Sequence, residues 1–355
     1  MVGGVSILAS GALNLKATEV QRKTTSQARN TYTNPVYPGS MPDPFVLRHR
    51  GVYYAFGTTG NGRKSDGRIF TLLTSTNLID WQELGGALVP PITDTDYQYW
   101  APEVAHHRGT FYLYYSMGGK EEEKFELRVA TARRPEGPYL DSGAKLLDCH
   151  RNRFTIDAHP FQDTDGQWYL FYARNYPDTK DGAHPGTALA VDKLIGMTKL
   201  AGQCQTVLRA RHAWTLYQAN RRMDVYDQTF DWHTIEGAFV QKHQGRYYCF
   251  YSGSNYQTAD YGVDYTVADQ VLGPYSGEGS EPRVLKGIPG KVRGPGHHSI
   301  VKGPDGQTDY IVYHSWNSEM TVRQMCVDRL LWTPEGPRCD GPTFTPQPRP
   351  GRSSQ

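Results

Sequence analysis

The sequence predicts an all-β fold, a five-bladed β-propeller with about four antiparallel strands per blade. Three observations carry that expectation. A hairpin pattern, in which an apolar run and an alternating aromatic run flank a glycine turn, recurs five times. A second β-branched run follows each hairpin. The turn glycines Gly51, Gly109, Gly166, Gly245 and Gly306 are spaced by 58, 57, 79 and 61 residues. Self-similarity at such a period, with several strands per repeat, is the signature of radial repetition.

The blades follow in order. Blade one spans about 34–90 and opens with MPDPFVLRHRGVYYAFGT at 41–58, two strands around Arg50-Gly51. Blade two, to about 147, opens with Tyr99-Trp100-Ala101-Pro102-Glu103. Its acidic run 121–123 reads as a solvated loop, and Glu103 as structural. Blade three covers 155–200, blade four 234–285 and blade five 294–332. The downstream runs at 70–78, 127–132, 187–192, 263–268 and 325–330 supply third strands. Weaker runs such as 145–147 and 283–285 supply fourths. The connection 201–233 explains the 79-residue spacing, and it holds Trp214, Tyr217, Tyr226, Phe230 and Trp232. Long excursions on a rigid scaffold often shape binding sites.

The catalytic-size domain is therefore 34–337. Residues 1–33 read as a leader or signal remnant: 5–13 is mildly apolar, but lacks a basic flank and is too short to span a membrane. This favours an extracellular or periplasmic setting over a cytoplasmic one. Residues 338–355, rich in Pro, Arg and Ser, read as a mobile tail. Segment 34–38 is expected to add an edge strand to the last blade and close the ring.

With 38 basic and 36 acidic residues the formal net charge is +2. There is no basic face for nucleic acid and no segment of transmembrane length. The 24 tyrosines suit sugar stacking, although aromatic residues also favour strands. Five cysteines without C-x-x-C spacing indicate neither zinc nor a dense disulfide framework, and leave room for one disulfide. Cys249 and Cys326 lie in strand patterns and read as buried thiols.

Eight or nine residues before the turn glycines stand Asp43, Trp100, Asp157, Glu236 and His297. The first strand of a propeller blade lines the axis, so these residues should converge at one mouth of the channel. Singly, each reads equally well as a strand-entry turn residue. Three carboxylic acids at matched positions outweigh that reading. Trp100 is equally a sugar platform or an inter-blade core residue. Cleaving a glycosidic bond with inversion needs one protonated carboxyl group to serve the leaving oxygen and one carboxylate to activate water. Burial and neighbouring charge separate the two pKa values.

These residues resemble glycoside hydrolase family 43, five-bladed propeller enzymes acting on arabinose- and xylose-containing plant polysaccharides. The resemblance rests on Pro42-Asp43-Pro44, on 156–161 (IDAHPF) and on 235–239 (IEGAF). Segments 99–104 (YWAPEV) and 294–297 (GPGH) add to it. It implies Asp43 as general base, Glu236 as general acid, Asp157 as pKa modulator, and inversion. It implies no cofactor for the chemistry. It matches His297 to a histidine that in several members faces a calcium or other ion on the axis, although a lone His is more often a hydrogen-bonded core residue. Arg323 resembles an arginine placed near the substrate or the modulating carboxylate, with a surface salt bridge as the bland reading. The N-D-P-N-G, R-D-P and E-C motifs of the invertase-like propellers are missing, which argues against fructan or sucrose and against retention.

The expected activity is release of terminal α-L-arabinofuranose from arabinan or arabinoxylan, because the 201–233 insertion favours a walled pocket. β-D-Xylosidase, then endo-1,5-α-L-arabinanase, are the alternatives. A silent sugar-binding propeller would not need three acids, and a phosphorolytic enzyme would need a basic cluster that the five axial positions lack.

Overall fold

The structure, a computed structural model, describes residues 30–119 and 124–351. The expected leader, as far as residue 29, and the acidic run 121–123 lie outside the described residues.

Five antiparallel meanders form a five-bladed propeller. Blade one consists of Phe45–His49, Val52–Gly57, Ile69–Ser75 and Gln82–Val89. Blade two consists of Gln98–His107, Thr110–Gly118, Phe125–Ala132 and Tyr139–Lys145. Blade three has Thr155–Gln162, Trp168–Tyr176, Gly186–Ile195 and the short Gln205–Leu208. Blade four has Ile235–His243, Arg246–Gly253 and Gly262–Ala268, with its fourth strand reduced to bridges at Ser276 and Leu285. Blade five has Arg293–Lys302, Asp309–Trp316, Arg323–Thr333 and Gly336–Cys339.

The turns follow from local chemistry. In blades one, two and four the inner hairpin closes over two residues, Arg50-Gly51, Arg108-Gly109 and Gln244-Gly245, all with positive φ. That geometry matches strand twist and favours glycine second. Blades three and five use longer turns, between Gln162 and Trp168 and between Lys302 and Asp309.

Each sheet is buried on both faces. In strand Thr110–Gly118, Phe111, Leu113, Tyr115 and Met117 pack toward blade one, while Tyr112 and Tyr114 pack toward blade three. This period-2 sorting of an almost wholly apolar run explains why aromatic residues fill every second strand. Five apolar clusters result, one between each pair of neighbouring blades. Each fully buried Leu, Val or Phe contributes about 1.5–3 kcal/mol.

The ring closes as anticipated at 34–38. Val36 N–H donates to Met325 O at 2.9 Å, and Asn34 pairs with Val327, accepting its N–H at 2.9 Å and donating to its carbonyl at 3.1 Å. The C-terminal segment corrects the expectation of a mobile tail. It is packed to residue 351: Thr31–Tyr32 pairs with Gln347–Pro348, and Thr343 N–H donates to the buried Asp328 at 3.0 Å. Asn34→Ala strands the buried Val327 N–H, while the Val327 carbonyl keeps the Tyr32 hydroxyl at 2.8 Å; it should cost about 1–3 kcal/mol, read as a lowered Tm in thermal denaturation. One disulfide joins Cys149 to Cys204, tying the end of blade two to blade three, and Cys249 and Cys326 are buried free thiols.

The insertion between blades three and four is a hairpin, Leu216–Met223 with Gln228–His233, on its own small core of Met223, Phe230 and Trp232. It attaches to blade three where His233 pairs with Gly186. The hairpin thus stands at the channel mouth.

Candidate functional site

The five inner strands approach the axis with one shared backbone feature. At an equivalent place in each, a residue takes a positive φ: Asp43 (53°), Ala101 (47°), Asp157 (59°), Gly237 (59°) and His297 (44°). Such a conformation costs a non-glycine residue about 1–3 kcal/mol and concentrates at functional sites. At position 237 a Cβ would also sit tightly, 3.3 Å from the His297 ring.

This feature resets the phase of the repeat. The backbone equivalents of Asp43 are Ala101, Asp157, Gly237 and His297, so Trp100 and Glu236 lie one residue earlier than their expected counterparts. Counting from the turn glycines missed the offset because the turns of blades three and five are longer. The chemistry still converges. Asp43, Trp100, Asp157, Glu236, His297 and Arg323 all line one cavity of about 650 Å³. Trp100 stacks on Phe125 with ring centroids 3.8 Å apart, so it is both a wall of the cavity and part of the inter-blade packing. The insertion hairpin adds Tyr217, Arg221 and Trp232 to the wall, with Arg221 lying over both rings.

The three acids have different surroundings. Burial would raise the Asp43 pKa, but Arg323 and His297 outweigh it and hold the carboxyl well below the usual range. Arg323 donates to Asp43 Oδ1 at 2.9 Å, and its guanidinium rests against Tyr256 and Trp316. The resemblance pointed Arg323 toward the substrate or the modulating carboxylate; its partner is Asp43, not Asp157. His297 Nδ1 lies 3.4 Å from the same Oδ1, and burial keeps its imidazole below the normal pKa.

Asp157 is pushed the other way, by burial first and then by Glu236 and Asp43, with the Gly237 N–H at 3.2 Å opposing. Glu236 is raised to about 7, chiefly by burial and by Asp43, against a hydrogen bond from Tyr261. That phenol donates to Glu236 Oε1 at 2.7 Å and leaves Oε2 available to carry a proton. The cavity therefore holds one ionised carboxylate beside two that resist ionisation. It separates a proton acceptor from a proton donor.

Sequence reasoning missed several supports. His314 Nδ1 receives the Asp43 N–H at 3.2 Å, and Ser116 Oγ and Ser252 Oγ receive those of Asp157 and His297 at 2.9 and 2.8 Å. Their signal was present. Each follows two strand residues, Tyr114-Tyr115, Phe250-Tyr251 and Val312-Tyr313, at one position of the second strand. Tyr261 lies in the loop before the third strand of blade four and had no such signal. Glu103 is structural, as expected: it accepts from His159 Nδ1 at 2.7 Å while His159 Nε2 receives the Val240 N–H at 3.0 Å.

The donor set around His297 does not form a calcium cage. Calcium takes six to eight oxygen ligands, whereas here one imidazole stands beside an aspartate already claimed by Arg323. Among the described residues, the only group of three His, Cys, Asp or Glu ligand atoms within 4.8 Å is Cys149, His150 and Cys204, far from this chemistry in kind and two of them disulfide-bonded.

Comparison with known proteins agrees with this geometry. The profile of glycosyl hydrolases family 43 matches residues 32–337. A beta-D-galactofuranosidase of Aspergillus niger is 27% identical over 85% of this chain and 83% of its own. An extracellular exo-alpha-(1->5)-L-arabinofuranosidase of Streptomyces avermitilis is 23% identical over 88% of this chain, which spans 62% of that relative's length. A crystal structure of a thermostable family-43 glycoside hydrolase superposes with a TM-score of 0.77 at 31% identity, covering 91% of this chain and all of the other. No helix among the described residues is long and apolar enough to cross a membrane. With five blades, three acids at one mouth and a match across the whole propeller, the chain belongs to glycosyl hydrolases family 43, and is a glycoside hydrolase.

Proposed function

We propose that the protein is an inverting, exo-acting hydrolase that releases terminal α-L-arabinofuranose from arabinan- or arabinoxylan-type polysaccharides. The observation that carries this reading is the pairing of an ionised Asp43 with a proton-holding Glu236 across one walled cavity. Asp43 takes a proton from water as the water attacks the anomeric carbon. Glu236 delivers its proton to the departing glycosidic oxygen. Asp157 shares the cavity with Glu236, and two buried acids so placed beside the ionised Asp43 do not both give up their protons. Trp100 and Arg323 border the bound sugar, and the insertion hairpin supports an exo mode by walling the cavity behind one terminal residue. No cofactor enters the chemistry, and no step runs through an ion. The extracellular relative favours export.

A second reading has its own support in the galactofuranosidase relative. Galactofuranose keeps the five-membered ring and adds one CHOH to the exocyclic arm. β-D-Xylosidase and endo-arabinanase remain the other outcomes of one experiment, a chromatographic product profile on debranched arabinan, arabinoxylan, xylo-oligosaccharides and a galactofuranoside. Arabinose alone is expected. Xylose or galactose as the main product would move the specificity accordingly, and a ladder of arabino-oligosaccharides would overturn the exo mode.

A further inference from the structure

The channel mouth carries a ring of five hydrogen bonds with one irregular member. In each blade the residue just before the positive-φ position faces a fixed position of the second strand: Pro42 with Thr58, Trp100 with Ser116, Ile156 with Ala173, Glu236 with Ser252, and Gly296 with His314. The side chain at that position reaches the next blade and accepts the N–H of its positive-φ residue. Thr58 serves Ala101 at 2.8 Å, Ser116 serves Asp157 at 2.9 Å, Ser252 serves His297 at 2.8 Å, and His314 closes the ring on Asp43 at 3.2 Å.

Blade three breaks the rule. Its residue is Ala173, fully buried and without an acceptor. Gly237 N–H would be left unpaired in the interior, at a cost of about 1–3 kcal/mol. It donates instead to Asp157 Oδ2 at 3.2 Å. The exception thus falls at the one blade junction where a carboxylate is available to fill the gap.

We propose that Ala173 is a positioning residue for Asp157: by offering no acceptor, it commits the Gly237 N–H to that carboxylate and so fixes its orientation beside Glu236. This rests on the reading of the three acids given above. The residue touches no substrate and acts only through what it does not accept.

The test is Ala173→Ser. A serine there has the register of Ser116 and Ser252 and should take the Gly237 N–H, leaving Asp157 without its donor. Asp157 faces Glu236, Asp43 and Glu103, and Glu236 in turn faces Arg323. Without the Gly237 N–H, Asp157 binds its proton more tightly, and of the two neighbouring acids Glu236 is then the one that ionises first. The basic limb of the pH–rate profile should move to lower pH and kcat should fall about ten-fold, with KM and Tm unchanged. Ala173→Gly adds no acceptor, so the basic limb should keep its wild-type position, although glycine in a buried strand lowers Tm. A serine variant with wild-type kcat and pH profile overturns the proposal.

A direct readout is independent of the variant's folding. In the wild-type protein the Gly237 amide proton, followed by NMR, should shift as Asp157 titrates; an amide that stays still overturns the proposal. Asp157→Asn separates the two levels. Full activity in that variant removes Asp157 from the mechanism, whereas the amide titration reports on the hydrogen bond alone.

Discussion

Glu236→Ala is expected to lower kcat by about 10²–10⁴-fold on an arabino-oligosaccharide, and by far less on an aryl arabinofuranoside with an acidic phenol as leaving group. The physical reason is the demand for a proton. A sugar alkoxide leaves only when protonated, whereas a nitrophenolate departs nearly unaided. As the proposed proton donor, the same residue should set the pH dependence. Glu236 is pushed up to about 7, chiefly by burial, and it must hold its proton to work. Activity is therefore retained below that value and lost as pH rises through it. In the alanine variant this basic limb should vanish for the aryl substrate. Equal losses on both substrates, or an unchanged basic limb, would assign the proton to another group.

Asp43→Asn should be as damaging, about 10²–10⁴-fold in kcat, and it should be damaging on both substrates, because a poor or good leaving group still needs activated water. Asparagine keeps the shape and can still receive the Arg323 hydrogen bond, so the far-UV spectrum and Tm should be close to wild type. In the wild type, Arg323 and His297 override burial to keep Asp43 ionised well below the usual carboxylate range. The acid limb of activity should accordingly lie low, and loss of activity should come only as pH falls through that depressed value. An Asp43→Asn enzyme with more than a tenth of wild-type kcat would remove this residue from the reaction.

Much of this architecture was legible because a propeller writes itself five times. The glycine turns, the aromatic second strands and the insertion could be read from spacing alone, and so could the three acids. The phase of the inner strands could not. Turn length differs between blades, and a count from Gly166 or Gly306 lands on the positive-φ residue, while the same count from Gly109 or Gly245 lands one residue before it. Arg323 was visible as a residue, but its partner was not, since Asp43 lies 280 positions away. Tyr261 was invisible because it comes from the irregular stretch between the second and third strands of blade four. The C-terminal segment misled for a compositional reason. Its prolines suggest an unstructured tail, but Thr343 and Arg349 find partners in Asp328 and Asp80 and pin it to the ring.

The central claim is a single displacement, with water activated by Asp43 on the face opposite the group protonated by Glu236. Proton NMR of the first anomer released from an α-L-arabinofuranoside tests it most directly. Early spectra should show β-L-arabinofuranose before mutarotation. The α anomer appearing first would mean a retaining, two-step path, and would contradict the roles assigned to these two carboxylates.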